Sequence, residues 1–139
     1  MTKQPDPARP LGWWLKEADA RLDDAFDRAF ATVGRTRREW QVLNTLAARP
    51  TARDDLAAAL SAFSPPGEVH AVLDDLTARA EVTATDGTLG LTAAGAGAQA
   101  QLASLVAQVR QRVGAALPPD DYVTLVGLLE RLVEGLREP

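Results

Sequence analysis

The chain has 139 residues, 46% hydrophobic and 24% charged, with a formal net charge of −4, no cysteine and one histidine, His70. These figures are those of a soluble globular protein of one domain or two intimately joined lobes, and they remove disulfides, thiolate metal sites, cysteine nucleophiles and any metal cluster or relay needing two histidines. No window approaches the ~20 apolar residues that span a bilayer and no signal-peptide pattern opens the chain, so a cytoplasmic protein with no membrane partner is expected, and the negative balance weighs against indiscriminate binding of polyanions.

Residues 1–10 hold three prolines and no apolar cluster, so a mobile tail is expected. From Leu11 the apolar residues fall at helical spacing through Trp14, Leu15, Leu22, Phe26, Phe30 and Val33, a first helix of about six turns stopped by Gly34. Thr36 and Glu39 form a capping box for a second helix carrying Trp40, Leu43 and Leu46, which must end before Pro50. Thr51 is expected to cap a third, with Leu56 and Leu60, reaching about Ala62. Ser64 followed by Pro65 reads as an N-cap with proline at the first helical position. The helix it opens carries Val69, Val72, Leu73 and Leu76. Next come Val82, the turn Asp86-Gly87, Leu89 and Leu91, a small hairpin.

Thr92 starts a long helix to about Ala116 with a stripe of Leu102, Leu105, Val106, Val109 and Val113, weakened in its first turns by Gly95 and Gly97. Pro118-Pro119-Asp120-Asp121 opens the last helix, with carboxylates against the positive end of its dipole. Its apolar set, including Tyr122, Leu125, Leu129, Leu132 and Leu136, covers more than one face. A terminal helix of a small protein cannot bury that much internally, so a partner subunit is favoured over a core between the first and fifth helices.

Helix, helix, helix and hairpin at these lengths is the pattern of a winged helix-turn-helix. The fold class expected is mostly α with a small β-wing: a winged lobe plus a helical dimerisation region. Residues 11–34 form the N-terminal dimerisation helix, 35–92 the winged lobe and 93–139 the C-terminal dimerisation helices.

Thr36-x-x-x-Trp40-x-x-Leu43-x-x-Leu46-Ala47, Asp55-Leu56-Ala57-x-x-Leu60, Val72-Leu73-Asp74-Asp75-Leu76-x-x-Arg79 and Asp86-Gly87…Leu91-Thr92-x-x-Gly95 follow one another in the order and spacing of a known family. From Leu11 to Leu136 the chain resembles the MarR-type winged-helix transcription factors. The resemblance implies a homodimer built by the first and last two helices, binding a pseudo-palindromic duplex operator. It also implies a repressor released by a small, often aromatic or anionic, ligand. Four positions depart from the family's pattern. The wing has no basic residue after Asp86-Gly87, Ala80 replaces a glycine, Glu81 stands at an apolar position, and Asp75 stands where a cation is common.

With Val69, Val72, Leu73 and Leu76 inward, the third core helix presents Gly67, Glu68, His70, Ala71, Asp74 and Asp75, with Arg79 at its end. Glutamate accepts from cytosine N4, and a histidine donates to guanine or phosphate, although an exposed His70 without a role weighs equally. Thr51, Arg53 and Ser64 are the backbone-contact candidates, with Asp86 and Gly87 at the wing tip. About four phosphates neutralised per dimer correspond to a log–log salt slope near −3.6. Trp14, Phe30 and Trp40 are the candidates for a ligand cleft, against the stronger expectation that spaced aromatics are core. Leu11, Leu15, Tyr122, Leu125, Leu129, Leu132 and Leu136 are the dimer-seam candidates. No catalytic set, metal set, cofactor or phosphate-cradling loop is read, so an enzyme is not expected. A second reading comes from another class: a dimeric winged-helix scaffold with weak or lost DNA binding, acting through protein or ligand contacts.

Overall fold

The computed structural model describes residues 8–137. Six helices, α1 (Leu11–Ala31), α2 (Arg37–Ala48), α3 (Arg53–Ala59), α4 (Pro66–Ala78), α5 (Ala93–Ala116) and α6 (Pro119–Gly135), accompany three strands, β1 (Thr51–Ala52), β2 (Val82–Thr85) and β3 (Thr88–Leu91). The sheet is antiparallel in the order β1-β3-β2, with Thr51 opposite Leu89 and Thr85 opposite Thr88. This is the mostly α, winged helix-turn-helix architecture expected. Of the segment 1–10 expected as a mobile tail, 1–7 lie outside the described residues. Pro10 is the N-cap of α1, and the Arg9 guanidinium lies 4.0 Å from the centre of the Trp13 ring.

The local signals act as elementary stereochemistry requires. Gly34 is left-handed (φ +70°), and Arg35 N–H donates to Phe30 O while Gly34 N–H donates to Ala31 O. That crossed pair closes α1 as a Schellman motif. Thr36 Oγ accepts from Glu39 N–H at 3.2 Å, the first half of the capping box. Asp86 (φ +52°) and Gly87 (φ +78°) make the two-residue turn of a hairpin whose strands keep their right-handed twist. At α5, Thr92 accepts from Gly95 N–H and its own backbone N–H donates to Glu81 O.

Two caps differ from expectation. Thr51 belongs to β1 rather than capping α3, because pairing with Leu89 of β3 holds it extended, and α3 stops at Ala59. Ser64 does not cap α4: Pro65 is the N-cap and Pro66 the first helical residue. The Ser64 side chain is turned inward at 3% exposure and accepts from Arg38 Nε at 3.1 Å. A second proline displaces the cap by one residue, since the residue before each proline is kept extended.

Phe30, Val42, Leu43, Leu46, Leu56, Leu60, Val69, Leu73, Leu76, Val82, Leu89, Leu102 and Val106 form one core, drawn from the end of α1, the winged lobe and the face of α5. Helix α6 contributes nothing to it: no residue of α6 is buried, and Val123 and Leu136 are 70% and 75% exposed.

Candidate nucleic-acid interface

The rotation of α4 follows from its apolar residues. Val69, Leu73 and Leu76 are buried, which leaves Gly67, Ala71, Asp74 and Asp75 exposed and Glu68 and His70 half-buried at the edges of the outer face. Small residues at Gly67 and Ala71 let another backbone approach closely, and the carboxylates flank them. The wing tip Asp86-Gly87 is exposed, and the only charge between Val82 and Leu91 is that of Asp86. This face matches the one inferred from helical spacing.

The basic residues around α4 are not free. Arg38, at the start of α2, reaches Glu68 in the first turn of α4 at 2.5 Å. Arg53, at the start of α3, donates to Asp74 Oδ1 at 3.0 Å and lies 3.3 Å from His70 Nδ1. An acceptor at Nδ1 requires the neutral ring with its proton on Nε2, so His70 is left as a donor at that nitrogen. Arg79, at the C-cap of α4, reaches Glu39 at 3.4 Å. Among the described residues Arg49, exposed between α2 and β1, has no carboxylate within ion-pair distance. Thr51 is half-buried, with its hydroxyl donating to Arg49 O. A phosphate approaching Ser64 must first displace Arg38.

Arg35 has a different fate. Its guanidinium donates from both terminal nitrogens to the Glu81 carboxylate, and also to Glu39 at 2.9 Å. Glu81 is 6% exposed. The hydrogen bonds to Glu81 hold the arginine's pKa well above its ordinary value, outweighing the desolvation that opposes them. The departure at position 81 therefore has a partner 46 residues away, which no local signal announced. Arg38 was missed as a bridge for the same reason, since its contacts cross 26 positions or more.

No family model and no curated protein sequence matches the chain. Solved structures do. The Mycobacterium tuberculosis MarR family protein Rv2887 in complex with DNA is 27% identical, with a TM-score of 0.74 over 89% of this chain and 98% of its own. The transcriptional repressor CouR bound to p-coumaroyl-CoA is 26% identical, with a TM-score of 0.74 over 96% of this chain and 98% of its own. The oxidised form of MarR from Escherichia coli is 25% identical, with a TM-score of 0.70 over 90% and 95%. The chain shares the winged-helix fold of these MarR-family regulators.

The expected ligand trio does not form one cleft. Trp14 and Phe30 are sixteen residues apart on the same straight helix, a separation of about 24 Å. Phe30 is 1% exposed and belongs to the core, 6.1 Å from the Trp40 ring, while Trp14 makes an edge-on contact with Trp13 at the far end of α1. A half-open apolar cleft of about 530 Å³ lies elsewhere, between Leu22 and Phe26 of α1, Val113 of α5 and Tyr122 of α6, with Arg110 on its wall. Of the expected seam, Leu11, Leu15, Tyr122, Leu125 and Leu136 are exposed, and Leu129 and Leu132 half-exposed. Among the described residues no group of three His, Asp or Glu side chains is placed to hold a metal ion, and no helix is long and apolar enough to cross a membrane.

Proposed function

We propose that the chain is a cytoplasmic, homodimeric transcriptional repressor rather than an enzyme, and that it binds a pseudo-palindromic duplex operator and is released by a small molecule. Residues 35–92 are the DNA-binding lobe, and 11–34 and 93–139 the dimerisation region. The observation that carries this reading is the winged lobe itself. The outer face of α4, with Gly67, Glu68, His70 and Ala71, stands clear of the core beside an exposed wing tip. Its agreement over most of the chain with a relative in complex with DNA supports the same role.

In this reading Arg53 and Arg79 meet backbone phosphates, which position the protein without reading sequence. His70 donates from Nε2 to a guanine edge, and Glu68 accepts from a cytosine amino group. Thr51, Asp86 and Gly87 lie at the rim. The ligand site is the apolar cleft between α1, α5 and α6, where the Arg110 guanidinium suits an aromatic carboxylate; CouR, bound to p-coumaroyl-CoA, is a relative that carries an aromatic ligand. Dimerisation is supported by α6, none of whose apolar residues is buried within one protomer.

Fluorescence polarisation against the DNA flanking the protein's own gene, at low salt, tests the reading. Nanomolar, sequence-dependent binding is expected. Arg53→Ala should weaken every sequence alike, whereas His70→Ala should change preference at one base position. No binding at micromolar protein would favour a dimeric scaffold of the same fold, a reading supported by the neutral wing and by arginines already engaged with carboxylates.

A further inference from the structure

The acidic residues on the outer face of α4 sit in an unusual relation to the arginines around it. The two carboxylates nearest the reading edge each hold a guanidinium supplied by another helix: Glu68 holds Arg38 of α2, and Asp74 holds Arg53 of α3. Asp75, adjacent to Asp74 and also exposed, holds none among the described residues. Arg53 is at the same time the arginine nearest His70. Because the wing carries no cation, these two guanidinium groups are half of the four around α4 among the described residues, with Arg79 and Arg49.

The geometry points to an exchange in which Glu68 and Asp74 act as internal substitutes for DNA phosphates, holding Arg38 and Arg53 until a duplex displaces them and so setting how strongly the protein discriminates its operator from other DNA. This inference rests on the DNA-binding reading above. A carboxylate offers a guanidinium the same planar pair of acceptors that a phosphate does. The Arg53–Asp74 pair is open to solvent, with Asp74 72% exposed, and the Arg38 and Glu68 side chains are each 46% exposed, so both pairs are weak enough to be displaced. On binding, Arg38 and Arg53 turn to phosphates and release their condensed cations, while the uncovered carboxylates recruit cations in return. The wild-type salt slope therefore stays shallower than the roughly −3.6 that four neutralised phosphates per dimer correspond to. Discrimination follows because only a site that also engages the helix edge compensates for the lost internal pairs.

The test is polarisation of the full chain across a salt series against two labelled duplexes, the gene-flanking DNA and a shuffled sequence of equal composition. Glu68→Gln/Asp74→Asn should bind the shuffled duplex about tenfold more tightly, with a steeper salt slope, so that the preference for the flanking DNA shrinks. Asp75→Asn, which removes the same single charge as Asp74→Asn without freeing an arginine, should produce a much smaller gain than Asp74→Asn alone. Adding Arg53→Ala to Asp74→Asn should cancel the gain from the amide. Circular dichroism verifies that each variant is folded. An equal gain from Asp75→Asn would reduce the effect to bulk charge and overturn the exchange. Wild-type binding that the amide substitutions leave unchanged would overturn it as well, with the DNA-binding reading intact. If neither the wild type nor any variant binds either duplex, the DNA-binding reading falls and the exchange with it.

Discussion

Ala80 holds a left-handed backbone (φ +58°) immediately after α4, where Glu81 N–H donates to Leu76 O and Ala80 N–H to Thr77 O. This is the same closure that Gly34 gives α1, but with a Cβ in place of a hydrogen, at a cost of about 1 kcal/mol. Ala80→Gly should therefore raise the unfolding free energy by about 1 kcal/mol in urea titration, leaving the denaturant slope unchanged. A neutral or destabilising outcome would mean that the left-handed geometry carries no strain. Here the residue itself gave no stop signal, since alanine disfavours a positive φ; the position stood out only because the resemblance implies a glycine there. Gly95 is the opposite case. Read as a weak point in α5, it is instead required: a Cβ there would come 2.0 Å from Glu81 O. Helical propensity records the cost of that glycine, and only the approach of the α4–β2 turn to α5 gives its reason.

At the scale of elements, the Arg35–Glu81 pair ties the turn before α2 to the turn before β2. Each residue follows the left-handed position that ends a helix, Gly34 for α1 and Ala80 for α4. The second site usually carries an apolar residue, and here it carries a carboxylate buried with its counter-ion. Removing Glu81 leaves the Arg35 guanidinium with Glu39 as its one carboxylate, whereas replacing both members with apolar residues is closer to neutral. Glu81→Leu alone should cost about 3 kcal/mol, and Arg35→Leu added to it should recover most of that loss, as read from a double-mutant cycle in chemical denaturation. Full additivity of the two losses would reject the coupling. Helix spans and the wing turn were legible because apolar spacing, caps and the Asp-Gly turn act within a few residues. Strand β1 was not, since two residues become a strand only when β3 lies beside them. The Ser64 cap was misplaced because two consecutive prolines offered two starting points and packing against Arg38 drew the serine inward.

For the whole molecule, the decisive feature is the bare terminal helix. The width of the α6 apolar stripe led to the expectation of a seam, and α6 has no buried residue within one protomer. Leu129→Asp places a charge where a partner's apolar surface would lie, at a cost of several kcal/mol to association. Because α6 adds nothing to the protomer core, the variant should remain folded while sedimenting as a monomer. A wild-type sedimentation profile for the variant would remove Leu129 from the interface.

What the sequence determined by itself was everything written in short-range stereochemistry: six helices, a two-residue wing turn, the glycine stop at residue 34 and an outer face on α4. Tertiary structure decided which charges meet and which aromatics do not. Ion pairs such as Arg38 with Glu68 and Arg53 with Asp74 join different helices, and Trp14 and Phe30 lie about 24 Å apart on one helix, Phe30 in the core and Trp14 exposed. The physical reason is range. Dihedral preference and hydrophobic period act along the chain within a turn or two, whereas a salt bridge depends on the distance between groups that only packing brings together.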